Sequence, residues 1–81
     1  MRKIQLQNIS EGGWNKYIGD LPQGKQVWVY EWGLGWRVSI YSKDFYLVAD
    51  VHDIRDEEEA VEIANVIIAY SYPQLDLQVL L

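Results

Sequence analysis

Val27-Trp28-Val29-Tyr30-Glu31-Trp32-Gly33-Leu34-Gly35-Trp36-Arg37-Val38-Ser39-Ile40-Tyr41-Ser42, residues 27–42, is the stretch that decides the fold of this chain. Two runs of β-branched and aromatic residues, each of strand length, flank a glycine-bearing loop of hairpin length. Phe45 to Val51 forms a third such run, set off by Lys43-Asp44. A three-residue first loop, Gly33-Leu34-Gly35, would set Trp32 against Trp36, Tyr30 against Val38 and Trp28 against Ile40. A two-residue second loop would then set Ile40 against Leu47, Val38 against Ala49 and Trp36 against Val51. This register gathers Trp28, Tyr30, Trp32, Trp36, Val38, Ile40, Phe45, Leu47, Ala49 and Val51 on one face, which is expected to be the core. A slip of one residue would move a strand's whole set to the other side, so the grouping argues for the register. The opposite face then carries Arg37 between Glu31 and Asp50, an acid–base–acid row across the strands. It also collects Val27, Val29, Tyr41, Tyr46 and Val48, more apolar surface than a solvated face needs.

After the meander the periodicity changes to that of a helix, expected from about Asp56 to about Tyr70. Asp56 with Glu59 three residues on suits an N-cap, and Pro73 enforces a stop after Tyr72. Glu58, Glu62, Asn65 and Ala69 share a narrow polar stripe. The apolar remainder covers roughly 220°, where a surface helix needs little more than about 100°. The helix is therefore expected to touch more than the meander.

At the two ends, Ile4-Gln5-Leu6-Gln7 alternates as a short strand, and Gln74 to Leu81 alternates again as a last one. The last strand is expected either beside the first or against a neighbouring molecule. Leu21-Pro22-Gln23-Gly24 is a turn. Trp14 to Leu21 fits a helix, a strand or an ordered loop equally. The expected architecture is α+β: an antiparallel meander of three to five strands on one helix, with short terminal strands, in a single domain over residues 1–81.

Eighty-one residues, half of them hydrophobic and including four Trp, six Tyr and one Phe, make a small core rich in aromatic area. No cysteine is present to staple it, which suits a cytoplasmic setting. No segment has the length or apolarity of a membrane span, and the N-terminus lacks the apolar region of a signal peptide. The net charge of −5 is local: residues 1–55 sum to +1 and residues 56–81 to −6. Direct nucleic-acid binding through a basic groove is not expected.

The acid run Asp56–Glu59 has two readings. Acids on a helix can imitate the phosphate row of DNA; acids in a first turn also complement the helix dipole and cap free amides. Asp50, His52 and Asp53 offer an imidazole between carboxylates, a possible metal or acid–base group, although no further ligand accompanies them. None of Ser10, Ser39, Ser42 and Ser71 has the context of a nucleophile, and the glycines form no phosphate loop. No catalytic set, metal site or cofactor is expected.

By exclusion, the expected function is a non-enzymatic, acidic protein-binding module, in its sharper form a phage- or mobile-element-type inhibitor of a nucleic-acid-handling defence protein. Candidate binding residues are Tyr41, Tyr46 and Arg37 on the outer sheet face and Glu57, Glu58 and Glu62 on the helix. A protein partner and homodimerisation are both expected from the surplus apolar area. The alternative is a small-ligand or nucleotide-binding protein with an aromatic pocket at a junction between copies.

Overall fold

The computed structural model describes residues 2–79. Strands β1 (Arg2–Asn8), β2 (Lys16–Asp20), β3 (Gln26–Trp32), β4 (Gly35–Tyr41) and β5 (Leu47–Ile54) precede helix α1 (Glu57–Ser71) and strand β6 (Leu75–Val79). They form one curled, mixed sheet in the order β5-β4-β3-β2-β1-β6, with α1 packed against it. The α+β expectation holds: β1 to β5 form the antiparallel meander and β6 is the short C-terminal strand. Four pairings are antiparallel; β6 joins β1 in parallel, with Ile4 opposite Leu77. Because β5 and β6 are opposite edges, α1 carries the chain across the sheet. Leu80 and Leu81, the expected end of the last strand, lie outside the described residues.

The β3–β4 register differs by one residue from the expected one. Trp32 faces Gly35, Tyr30 faces Arg37, Val29 faces Val38 and Val27 faces Ile40. The loop holds two residues, Gly33-Leu34, with Gly33 at φ +64°, as a tight hairpin turn with glycine first demands. Gly35 belongs to the strand. The consequence reverses β3: Val27 and Val29 are fully buried, while Trp28, Tyr30 and Trp32 point away from the helix. The expected tryptophan core is thus corrected to Trp36 alone, which stacks on Tyr17 at 6.4 Å.

The reason lies in the helix. Its buried stripe is Ala60, Ala64 and Ile68, and two alanines allow α1 to approach the sheet closely. Valines fill that thin layer; indoles on β3 would force the layers apart. Each buried valine contributes roughly 1.5–3 kcal/mol relative to exposure.

The second hairpin, by contrast, has a longer loop than expected. Ile40 pairs with Ala49 and Val38 with Val51, a two-residue offset that keeps Ala49 and Val51 on the inner face. Phe45 and Leu47 are corrected to exposed positions, 70% and 51% accessible. Phe45 adopts φ +63° after the Ser42–Phe45 turn, a left-handed conformation that disfavours a bulky side chain.

Helix α1 begins as expected. The Asp56 carboxylate accepts from Glu59 N–H at 2.9 Å, and Arg55 lies 3.5 Å from Asp56 and 3.7 Å from Glu59. It closes with Tyr72 N–H donating to the Ile68 carbonyl just before Pro73. Asn65, expected on the polar stripe, instead accepts from Leu77 N–H at 2.9 Å and ties α1 to β6. The wide apolar arc is met in part by β6, while Val66 and Tyr70 stay exposed. Among the described residues no helix is long and apolar enough to cross a membrane.

Candidate functional site

Alternation along β3 stands Trp28, Tyr30 and Trp32 in a row on the face away from α1, and Tyr41 joins them from β4. Neighbouring rings meet edge to face: Tyr30–Trp32 at 6.1 Å, Trp28–Tyr30 at 6.4 Å and Trp28–Tyr41 at 5.2 Å. Trp14 enters from the loop before β2. There Gly12 and Gly13, both at positive φ, turn the chain so that Glu11 and Trp14 exchange backbone hydrogen bonds. Asn15 accepts from Glu31 N–H through its carbonyl and donates to the Glu31 carboxylate through its own N–H, which fixes this loop against the end of β3. Together these residues bound an open trough of about 710 Å³.

Two cations sit among the rings. Lys16 Nζ lies 4.0 Å from the centre of the Trp28 ring, and the Arg37 guanidinium carbon lies 5.3 Å from that of Trp32. Arg37 also grips Asp50 with two bonds, Nε to Oδ1 at 2.6 Å and Nη2 to Oδ2 at 2.7 Å. The expected Arg37–Asp50 contact is therefore present, whereas Glu31 serves Asn15 instead. Asp50 accepts a further bond from the buried Ser39 hydroxyl at 2.9 Å, and Ser39 lies 3.1 Å from the Tyr30 hydroxyl. The chain Tyr30–Ser39–Asp50–Arg37 ties β3, β4 and β5 together under the trough. A fully hydrogen-bonded network of this kind favours one arrangement of its members.

The ion pair holds the Asp50 carboxyl below its ordinary value, first through the bonds from Arg37, and raises the Arg37 guanidinium in return. Burial raises the Tyr30 hydroxyl. On the helix side, the neighbouring Glu57 carboxylate, followed by burial, pushes Tyr17 up to about 12. A depressed carboxyl contributes stability above its unfolded value near pH 4, and that contribution is lost as pH falls through the folded value. Urea midpoints of the wild type should therefore drop between pH 5 and pH 3. Asp50→Asn should start lower at pH 7 and lose less over the same interval; equal losses would remove Asp50 from the acid transition.

The six residues singled out from the sequence separate into distinct places. Tyr41 lines the trough and Arg37 lies beside Trp32, but Tyr46 is 74% exposed beside the β4–β5 turn, outside the trough lining. Glu57 is half-buried and faces Tyr17. Glu58 and Glu62 are exposed on α1 and line a shallow polar depression with Arg55, Asp56 and Glu59. The sheet and helix groups are therefore not brought together. Trp14, Lys16, Trp28, Tyr30 and Trp32 were not among the six; a two-residue loop with glycine first was the signal that would have turned β3 outward.

The network does not form a nucleophile. Ser39 donates to a carboxylate whose pKa is lowered, hence a weak base, and no imidazole reaches it. His52 Nδ1 lies 2.8 Å from Asp53, while Asp50 is engaged by Arg37 and Ser39. Among the described residues no group of three or more His, Asp or Glu is placed to hold a metal ion. The arrangement is an open, largely apolar aromatic surface whose lining holds one cation, Lys16, and one anion, Glu31. Comparison of the chain with protein families, curated proteins and solved structures returns no match.

Proposed function

We propose that this chain is a non-enzymatic protein-binding module that takes an extended segment of its partner along the aromatic trough. One observation carries the reading: Trp28, Tyr30, Trp32 and Tyr41 stand on the face away from α1, where the core does not need them. Val27, Val29, Trp36, Val38 and Ile40 already close the layer beneath the helix. Trp and Tyr are the residues that most often anchor partners, because they present large rigid area with little entropy to lose. The lack of cysteine suits work in the cytoplasm.

The small-ligand alternative draws support from the trough's volume, which falls in the range of ligand sites. Its walls weigh against that reading: Trp14 and Trp32 are 54% and 61% exposed, which fits a chain laid across an open surface better than an enclosed molecule. For the sharper inhibitor form, the helix acids give little support. Asp56 is used as a cap and Glu57 faces Tyr17, leaving Glu58 and Glu62. Homodimerisation would instead draw on Val66 and Tyr70, and a 9.5 kDa species in light scattering at micromolar concentration would sink it.

The test is a pull-down from the producing cell with wild type, with Trp28→Ala/Tyr41→Ala, and with Val66→Ser/Tyr70→Ser as a surface control. Loss of two anchors worth about 2 kcal/mol each should cut retention of the partner at least about tenfold. The helix variant should retain it fully. A partner held equally well by the trough variant would overturn the reading.

A further inference from the structure

We infer that the segment taken by the trough is an uncharged proline-rich stretch in the polyproline II conformation. The inference rests on the trough being the binding surface and names what it recognises.

The ring geometry comes first. Trp32, Tyr30, Trp28 and Tyr41 meet at 83°, 78° and 64°, so successive rings do not lie in one plane. Bases or sugar rings stacked in series need parallel, open faces. Here Lys16 lies over Trp28 and Arg37 over Trp32. Rings in edge-to-face contact make a ridged surface with open corners rather than a flat platform. A pyrrolidine ring is compact and apolar, and it can seat in such a corner against the face of one ring and the edge of the next. Polyproline II brings the same face round every third residue, about 9 Å along its axis, so a segment laid along β3 touches the row of rings at intervals rather than at every residue. An aromatic-lined groove is the kind of surface on which proline-rich segments in this conformation dock.

Charge points the same way. The lining holds one cation, Lys16, and one anion, Glu31, and the adjacent Arg37 is neutralised by Asp50. A strand of phosphates requires a row of free cations, and the whole chain carries −5. An uncharged segment matches a trough with no net charge. Such a segment also brings unpaired carbonyls, since polyproline II has no internal hydrogen bonds. The Trp28 indole N–H is taken by Gln26, but those of Trp14 and Trp32 have no acceptor among the described residues and can donate to those carbonyls. A partner already extended in solution loses little entropy on docking.

The experiment follows the four tryptophan indole N–H signals by nitrogen–proton NMR on the full chain. Trp36, in the core, is the internal control. The probes are decaproline, a Gly-Ser peptide of equal length, a ten-residue oligothymidylate and a linear hexasaccharide. Decaproline should shift Trp14, Trp28 and Trp32 saturably and leave Trp36 in place. Trp28→Ala or the more exposed Trp32→Ala should each weaken binding about tenfold, with the Trp36 signal reporting that the variant is folded. Equal binding of the Gly-Ser peptide would overturn the proposal, as would no response to decaproline at millimolar concentration. Shifts with only the oligonucleotide or the saccharide would overturn the ligand class while leaving the trough as a binding surface. That surface itself fails only if the pull-down is also indifferent to the trough variant.

Discussion

Replacing Val29 by aspartate is expected to abolish cooperative folding, while replacing its neighbour Trp28 by alanine leaves the domain folded. Val29 has no accessible surface and faces Val38 beneath the alanine stripe of α1. A carboxylate there finds no cation, and the effective penalty for burying an unpaired charge is several kcal/mol. A domain of 81 residues has a total stability of roughly 5–15 kcal/mol, and a small one sits toward the lower end. Trp28 is the larger side chain, yet it is half-buried on the outer face and supports no core residue. Its removal should cost at most about 2 kcal/mol. Thermal melts followed by far-ultraviolet circular dichroism separate the outcomes. Had β3 the opposite orientation, Trp28→Ala would unfold the chain and Val29→Asp would be tolerated; that result would refute the register.

The elements whose signals are local were legible. Helix α1 was found with its Asp56 cap and its Pro73 stop because both act within one turn. The three central strands are legible from β-branched and aromatic runs, and the first and last from the alternation of apolar and polar residues. Strand β2 was not, because Lys16-Tyr17-Ile18-Gly19-Asp20 is short and has a glycine on its inner side. That glycine has a tertiary cause: a Cβ there would lie 2.9 Å from the Leu6 side chain. The parallel β1–β6 pair was only half legible, since it depends on where α1 delivers the chain. No local pattern in Leu75–Val79 records that.

The site was hidden by a property of β3 itself. Val27, Val29, Trp28, Tyr30 and Trp32 are apolar on both faces of the strand, so grouping the hydrophobic residues scores both registers well. Polarity alone is degenerate on such a strand. Size rather than polarity breaks the tie: Ala60 and Ala64 leave room for valine and none for indole. Tyr41 and Arg37 escaped the error because they lie on β4, where the expected face was correct. The two-residue offset of β5 also preserved the Arg37–Asp50 contact. The aromatic row expected in the core is therefore the outer face.

Gly33 in the loop and Gly35 at the start of β4 should respond differently to substitution, and the difference isolates the turn that sets this register. A Cβ on Gly35 would lie 2.6 Å from the Ile54 carbonyl oxygen, a backbone atom at the end of the β4–β5 pairing. Neither strand can yield without disturbing Trp36, which faces Ile54 and stacks on Tyr17. Gly35→Ala should therefore cost about 1–3 kcal/mol, as overpacking does. In a domain this small each kcal/mol lowers Tm by roughly 4–8 °C. Gly33 has open space around its Cβ position, so its only demand is φ +64°. Gly33→Ala should cost about 1–2 kcal/mol through backbone strain alone, and Gly33→Asn should recover part of it because asparagine tolerates that conformation. At Gly35 asparagine should recover nothing, since the obstacle is volume. Calorimetric melts of the four variants decide the matter. If asparagine rescued both positions alike, both glycines would be turn residues, the loop would have three residues, and the tryptophans of β3 would return to the core.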